Sequence, residues 1–182
     1  MMNFKRITSL LLLVFLIAGQ TFSQDLKTIL DQRLPEYGHR NWIIIADAAY
    51  PKQSAPGIET IVTGAGQLDV LQEVLSKIDA SVHIKPIVML DAELNYVPEK
   101  NAPGVQKYRD ELKQIFGNRQ LKVMPHEDII RKLDEASKLF NILLLKTDMT
   151  IPYTSIFIEL DCGYWNAQQE KELRDAIQRV VK

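Results

Sequence analysis

The chain has 182 residues, 46% of them hydrophobic and 25% charged, with 22 Lys+Arg against 23 Asp+Glu. That length suits one domain with a single core, and a formal net charge of -1 leaves no basic surplus or local basic run to hold a nucleic acid. With Cys162 the only cysteine, no intramolecular disulfide can form and no cysteine-based zinc site can be built.

Residues 1–23 stand apart. Lys5 and Arg6 precede an apolar run from Leu10 to Ala18, and Thr21-Phe22-Ser23 offers small residues at a cleavage point. This is the pattern of a secretory signal peptide, too short for a stable membrane span. The expectation is export to the periplasm or medium, with no membrane insertion after cleavage.

In the remaining chain, Leu26, Ile29, Leu30 and Leu34 mark one face of a short helix that Pro35 and Gly38 end. Trp42-Ile43-Ile44-Ile45 is a buried strand and Ile58 to Val62 a second. Val70, Leu71, Val74, Leu75 and Ile78 recur at helical spacing, and Ile84 to Leu90 is a strand whose Pro86 calls for an edge or irregular position. Asp91 to Gly104 reads as a loop. Val105, Tyr108, Leu112, Ile115 and Phe116 line a helix closed by Gly117, followed by a strand at Leu121 to Met124. Ile129, Ile130, Leu133 and Ala136 mark a helix entered through Pro125-His126. Two apolar runs, Ile142 to Leu145 and Ile156 to Leu160, are strands, with Cys162 expected to be buried just beyond the second. Leu173, Ile177 and Val180 give a last helix, with Asn166 as its cap. Strands alternating with helices predict a single-domain α/β fold, a mainly parallel sheet with helices on both faces. The domain spans 24–163 and residues 164–182 form a helical extension.

Three histidines could carry proton chemistry near neutral pH: His39, His83 and His126. His39 leads into the first strand and Asp47 closes it. A carboxylate at the C-terminal end of a buried strand either holds a ligand or caps the turn at Tyr50-Pro51. His83 reads as a surface or hydrogen-bonded residue. His126 either projects from its helix start into a cleft or belongs to a polar first turn with Glu127 and Asp128. Gly64-Ala65-Gly66 lacks the residues of a phosphate loop, and no serine lies in a nucleophile elbow.

The segment Leu34 to His39, followed by Ile43 to Pro51, resembles the ribose pyranases and fucose mutarotases, which carry Gly-His, eight residues from His to Asp, then Asp-Ala-x-x-Pro. Tyr108-Arg109 with Leu112 is similar to the Tyr-Arg-x-x-Leu of the fucose branch, and Pro152 to Ile156 to the family's Tyr-x-Asn-Ile strand entry. The resemblance covers most of residues 26–163. It implies a sugar-ring isomerase without metal or cofactor, acting on a ribose- or fucose-like monosaccharide, with its site between subunits of a ring-shaped homo-oligomer. It makes His39 the catalytic proton donor and assigns Asp47, Tyr153, Ser155 and His126 to the sugar, with Ser155 standing where the family has asparagine. His39 and Asp47 are accordingly expected to face one hollow. The serine leaves open a sugar-binding protein without turnover, and the C-terminal extension an envelope scaffold.

Overall fold

The structure is a computed structural model that describes residues 26–180. The expected signal peptide, and with it any evidence of export, lies outside the described residues; among them no helix is long and apolar enough to cross a membrane.

A helix over 26–33 (α1) runs into a 3-10 turn at Leu34–Glu36. The elements then follow as β1 Trp42–Ala46, β2 Ile58–Val62, α2 Gln67–Asp79, β3 Ile84–Asp91, a 3-10 turn Ala92–Tyr96, α3 Val105–Phe116, β4 Leu121–Met124, α4 His126–Ala136, β5 Ile142–Lys146, β6 Ile156–Cys162 and α5 Ala167–Val180. One six-stranded sheet forms in the order β2-β5-β1-β6-β3-β4. β1 pairs parallel with β5, β5 with β2 and β3 with β4, while β6 runs antiparallel between β1 and β3.

The reversed strand has a simple cause. Residues 147–155 join β5 to β6 without a helix, too short a path for the crossover that a parallel strand requires. The connection instead straps across the C-terminal end of β1, where the Ala48 N–H donates to the Met149 carbonyl at 2.7 Å.

β1 is buried on both faces, which is why its sequence shows no alternation. Ile43 and Ile45 join the core that α1, α2 and α3 cover; Trp42, Ile44 and Ala46 join a smaller one under α4. Each fully buried isoleucine contributes about 1.5 to 3 kcal/mol. Pro86 sits where β3 pairs with β6 alone, because β4 reaches only Val88 to Asp91, so the missing N–H falls on a locally open side.

Cys162 is half-buried at the end of β6, less enclosed than its composition predicts. Asn166 caps α5 as expected: the Gln169 N–H donates to its Oδ1 at 2.9 Å. The apolar stripe of α5 is not buried, with Leu173 and Ile177 nearly half exposed. Gly163 precedes that helix, and a Cβ there would lie 2.7 Å from the Val82 carbonyl and 2.9 Å from the Ile84 nitrogen. Gly163→Ala should therefore lower stability by about 1 to 3 kcal/mol in urea titration; an unchanged midpoint would mean that the β6 exit shifts freely.

Candidate functional site

A run of parallel strands brings its C-terminal ends to one rim, where open α/β sheets hold ligands. At this rim β1 delivers Asp47, β3 delivers Asp91, and β4 hands over through Pro125 to His126 at the start of α4. Because β6 is reversed, its N-terminal end arrives at the same rim and supplies Tyr153 and Ser155. Together they surround a hollow of about 730 Å³, within the usual range for small-molecule sites.

Asp91 is the most constrained of these groups. It is 1% exposed and accepts a hydrogen bond at Oδ2 from His126 Nδ1, 3.0 Å away, while its buried Oδ1 has no partner. Burial pushes its carboxyl up to about 6 against the opposing pull of His126, with Glu93 and Asp47 raising it further. Accepting from Nδ1–H fixes the imidazole tautomer and leaves Nε2 as the ring nitrogen free to exchange a proton. His126 is anchored from behind as well: its backbone N–H donates to both Glu93 carboxylate oxygens, at 3.0 and 3.1 Å, a carboxylate at a helix N-terminus.

Three rings set the imidazole's position. Tyr153 lies edge-to-face with it at 5.8 Å between centroids, and Phe157, fully buried beneath, at 6.5 Å. Tyr50 packs against Phe157 at 6.4 Å, and burial pushes its hydroxyl up to about 12, so it is a donor near neutral pH. That hydroxyl leans toward Gln53 without a hydrogen bond of ordinary geometry.

Asp47 caps the turn that follows β1 and is held by Ser155 as well. Its Oδ1 accepts from the Ala49 N–H at 2.8 Å, capping the turn, and its Oδ2 accepts from the Ser155 hydroxyl at 2.9 Å, both residues lining the hollow. Tyr153 adopts a left-handed backbone with φ of 60°, a conformation held against its side chain's preference and concentrated in proteins at functional sites. Next to it Thr154 is locked: its hydroxyl donates to the Ile151 carbonyl and its own carbonyl accepts from Gln67 Nε2 at 3.0 Å and the Tyr108 hydroxyl at 3.1 Å. Tyr108 thus serves the framework, and Arg109 likewise donates to the Leu94 and Val97 carbonyls.

Asp47, His126, Tyr153 and Ser155 all line this one hollow, whereas His39 is not with them. It is exposed in the turn before β1, and five strand residues at roughly 3.3 Å each separate that rim from Asp47. The expected pairing of His39 and Asp47 over one hollow does not occur within a chain, because a strand's two ends face opposite rims. His83 is at the far rim too, a hydrogen-bonded residue whose Nε2 donates to the Leu34 and Tyr37 carbonyls at 3.1 Å each.

Asp91 went unread in the sequence, although a signal existed: it ends the apolar run Ile87 to Leu90 just as Asp47 ends Ile43 to Ala46. Its raised carboxyl pKa carries a stability consequence. Between pH about 4 and 6 the folded chain keeps a proton that the unfolded chain has released, so stability falls as pH rises through that window and stays lower above it. The fall should reach up to about 3 kcal/mol. Urea titrations at both ends of the window should show it in wild type and not in Asp91→Asn; equal slopes would contradict the assignment.

The family model of the RbsD / FucU transport protein family matches residues 22–161. Among solved structures, RbsD of Bacillus subtilis complexed with D-ribose is similar at 20% identity and a TM-score of 0.51, over 72% of this chain and 90% of that one. The fucose mutarotase of Streptococcus pneumoniae in complex with L-fucose gives 20% and 0.46, over 71% and 89%. FucU of Bifidobacterium longum gives 15% and 0.46, over 74% and 94%. No curated protein matches the chain.

Proposed function

Because the chain belongs to the RbsD / FucU transport protein family, we propose that it interconverts the anomers or ring forms of a free monosaccharide by general acid–base catalysis in the rim hollow. The observation that carries the proposal is the pairing of buried Asp91 with half-buried His126, open at His126 Nε2 and ringed by Tyr153, Asp47 and Ser155.

Opening a sugar hemiacetal removes a proton from the anomeric hydroxyl and delivers one to the ring oxygen; closing reverses both transfers. His126 Nε2 takes the first proton and returns it, with Asp91 holding the imidazole in the competent tautomer and stabilising its charged form. Asp47 and Ser155 hold ring hydroxyls, and Tyr153 offers a face or a hydroxyl to the sugar. The ligands named for the neighbouring structures, D-ribose and L-fucose, support a sugar of that class as substrate.

His39 keeps its role as proton donor through assembly: its turn serves the hollow of a neighbouring copy in a homo-oligomer. His39→Ala and His126→Ala should then each depress anomer exchange, and mixing the two variants should restore part of it, read by saturation-transfer NMR. Failure to complement removes His39 from the site. Residues 1–23 direct export, which N-terminal sequencing of the secreted chain would test.

A second reading, a sugar-binding protein without turnover, is favoured by one fact: His39 is remote from the hollow of its own chain. It predicts affinity for monosaccharides in calorimetry with exchange no faster than in buffer.

A further inference from the structure

His126 is held at two points, and both holds come from one short segment. Its ring Nδ1 donates to Asp91 and its backbone N–H to both oxygens of Glu93, with only Ala92 between the two acids. Strand register brings this about. Asp91, the last residue of β3, pairs with Met124, the last of β4. Two residues beyond each lie Glu93 and His126, so the two segments meet again at the same offset.

The backbone hold answers a local deficiency. A helix start leaves its first N–H groups without partners, and a side chain at the preceding position usually takes one. The residue before α4 is Pro125, which makes no side-chain cap. Glu93, partly buried and 33 positions away in sequence, takes that place with a charge of the sign that a helix N-terminus favours. A charge-assisted bond of this kind is stronger than an ordinary one, and an acid–base group loses rate steeply when it is displaced.

We propose that Glu93 is a positioning residue for proton exchange at His126, fixing the first turn of α4 against the end of β3 so that Nε2 faces the hollow. The proposal rests on the acid–base reading of the site and adds to it a residue that does not itself line the hollow. Its charge has a second consequence. Burial lifts the Asp91 carboxyl most, Glu93 and Asp47 lift it further, and His126 on α4 pulls it down. The Tyr50 hydroxyl feels Asp91 in return, and Glu127 borders the same hollow. Without the Glu93 charge, Asp91 ionises and accepts from Nδ1–H at lower pH.

Two variants of the full chain test it: Glu93→Gln keeps an acceptor oxygen and loses the charge, and Glu93→Ala loses both. Saturation-transfer NMR follows anomer exchange of D-ribose and L-fucose, and NMR of the ring nitrogens in histidine-labelled protein follows His126. Above the ionisation of Asp91, the wild-type ring should carry its proton on Nδ1. Glu93→Gln should keep that tautomer and lose rate only a few-fold, while the ring's response to Asp91 and the rise in exchange both move to lower pH. Glu93→Ala should lower kcat by about ten- to a hundredfold with KM changed no more than a few-fold, and its ring should populate both tautomers. Variants that lose only stability, with tautomer and pH midpoints as in wild type, would make Glu93 a helix cap alone and overturn the proposal. Should Glu93→Ala not fold, the pH midpoint of Glu93→Gln decides. A wild type that accelerates neither sugar would remove the acid–base reading, and the ring nitrogens would then settle the hold of Glu93 on His126 by themselves.

Discussion

Replacing His126 with alanine should slow catalysed anomer exchange by about 10² to 10⁴-fold, the usual worth of a positioned acid–base group. The residue is half exposed at a helix start and makes one side-chain hydrogen bond, to Asp91, so its removal leaves the two cores intact. Saturation-transfer NMR on an enriched anomer measures the rate, and calorimetry on the same sample measures sugar affinity. A rate loss with affinity changed by no more than a few-fold assigns His126 to the chemical step. Asp91→Asn tests the positioning role separately. Exchange in wild type should rise as pH rises through about 6, where Asp91 ionises and can accept from Nδ1–H. In Asp91→Asn that rise should disappear, with the plateau well below wild type. Should His126→Ala match wild type while still binding sugar, the imidazole is no acid or base and the chemistry lies elsewhere.

The second large effect concerns the floor beneath the site. Phe157 on β6 is fully buried in the smaller core, touching Tyr50 on one side and His126 on the other. Phe157→Ala should cost about 3 to 5 kcal/mol in urea unfolding, through lost transfer energy and the cavity left behind. Phe157→Leu, which fills most of that volume, should cost much less. Both variants remove an aromatic wall from the imidazole, so exchange should fall in Phe157→Leu even where the chain is fully folded. A Phe157→Ala chain as stable as wild type would mean that α4 collapses onto the sheet, and the separation of the two cores would be wrong.

The sequence by itself determined the elements and their chemistry at strand ends. Six strands and five helices follow from apolar spacing, because side chains repeat every two residues in a strand and about 3.6 in a helix, and burial on one or both faces writes that period into the chain. The doubly buried run Ile43 to Ile45 announced a central strand, and Asp47 after it announced a rim carboxylate. Local pattern also carried His126, at a helix start beside two acids, and the family likeness from Tyr153 to Ile156.

Only the tertiary structure decided which of these residues meet. Ser155 reaches Asp47 across 108 positions of sequence because β6 runs antiparallel beside β1. Asp91 joins His126 because β3 pairs with β4, whose end feeds α4. The same geometry sends His39 to the opposite rim, eight residues from Asp47 in sequence yet separated by the length of β1. Periodicity is a property of neighbours along the chain, whereas strand order and direction are settled by the burial of whole faces against one another. A site assembled from strand ends is fixed at that second level.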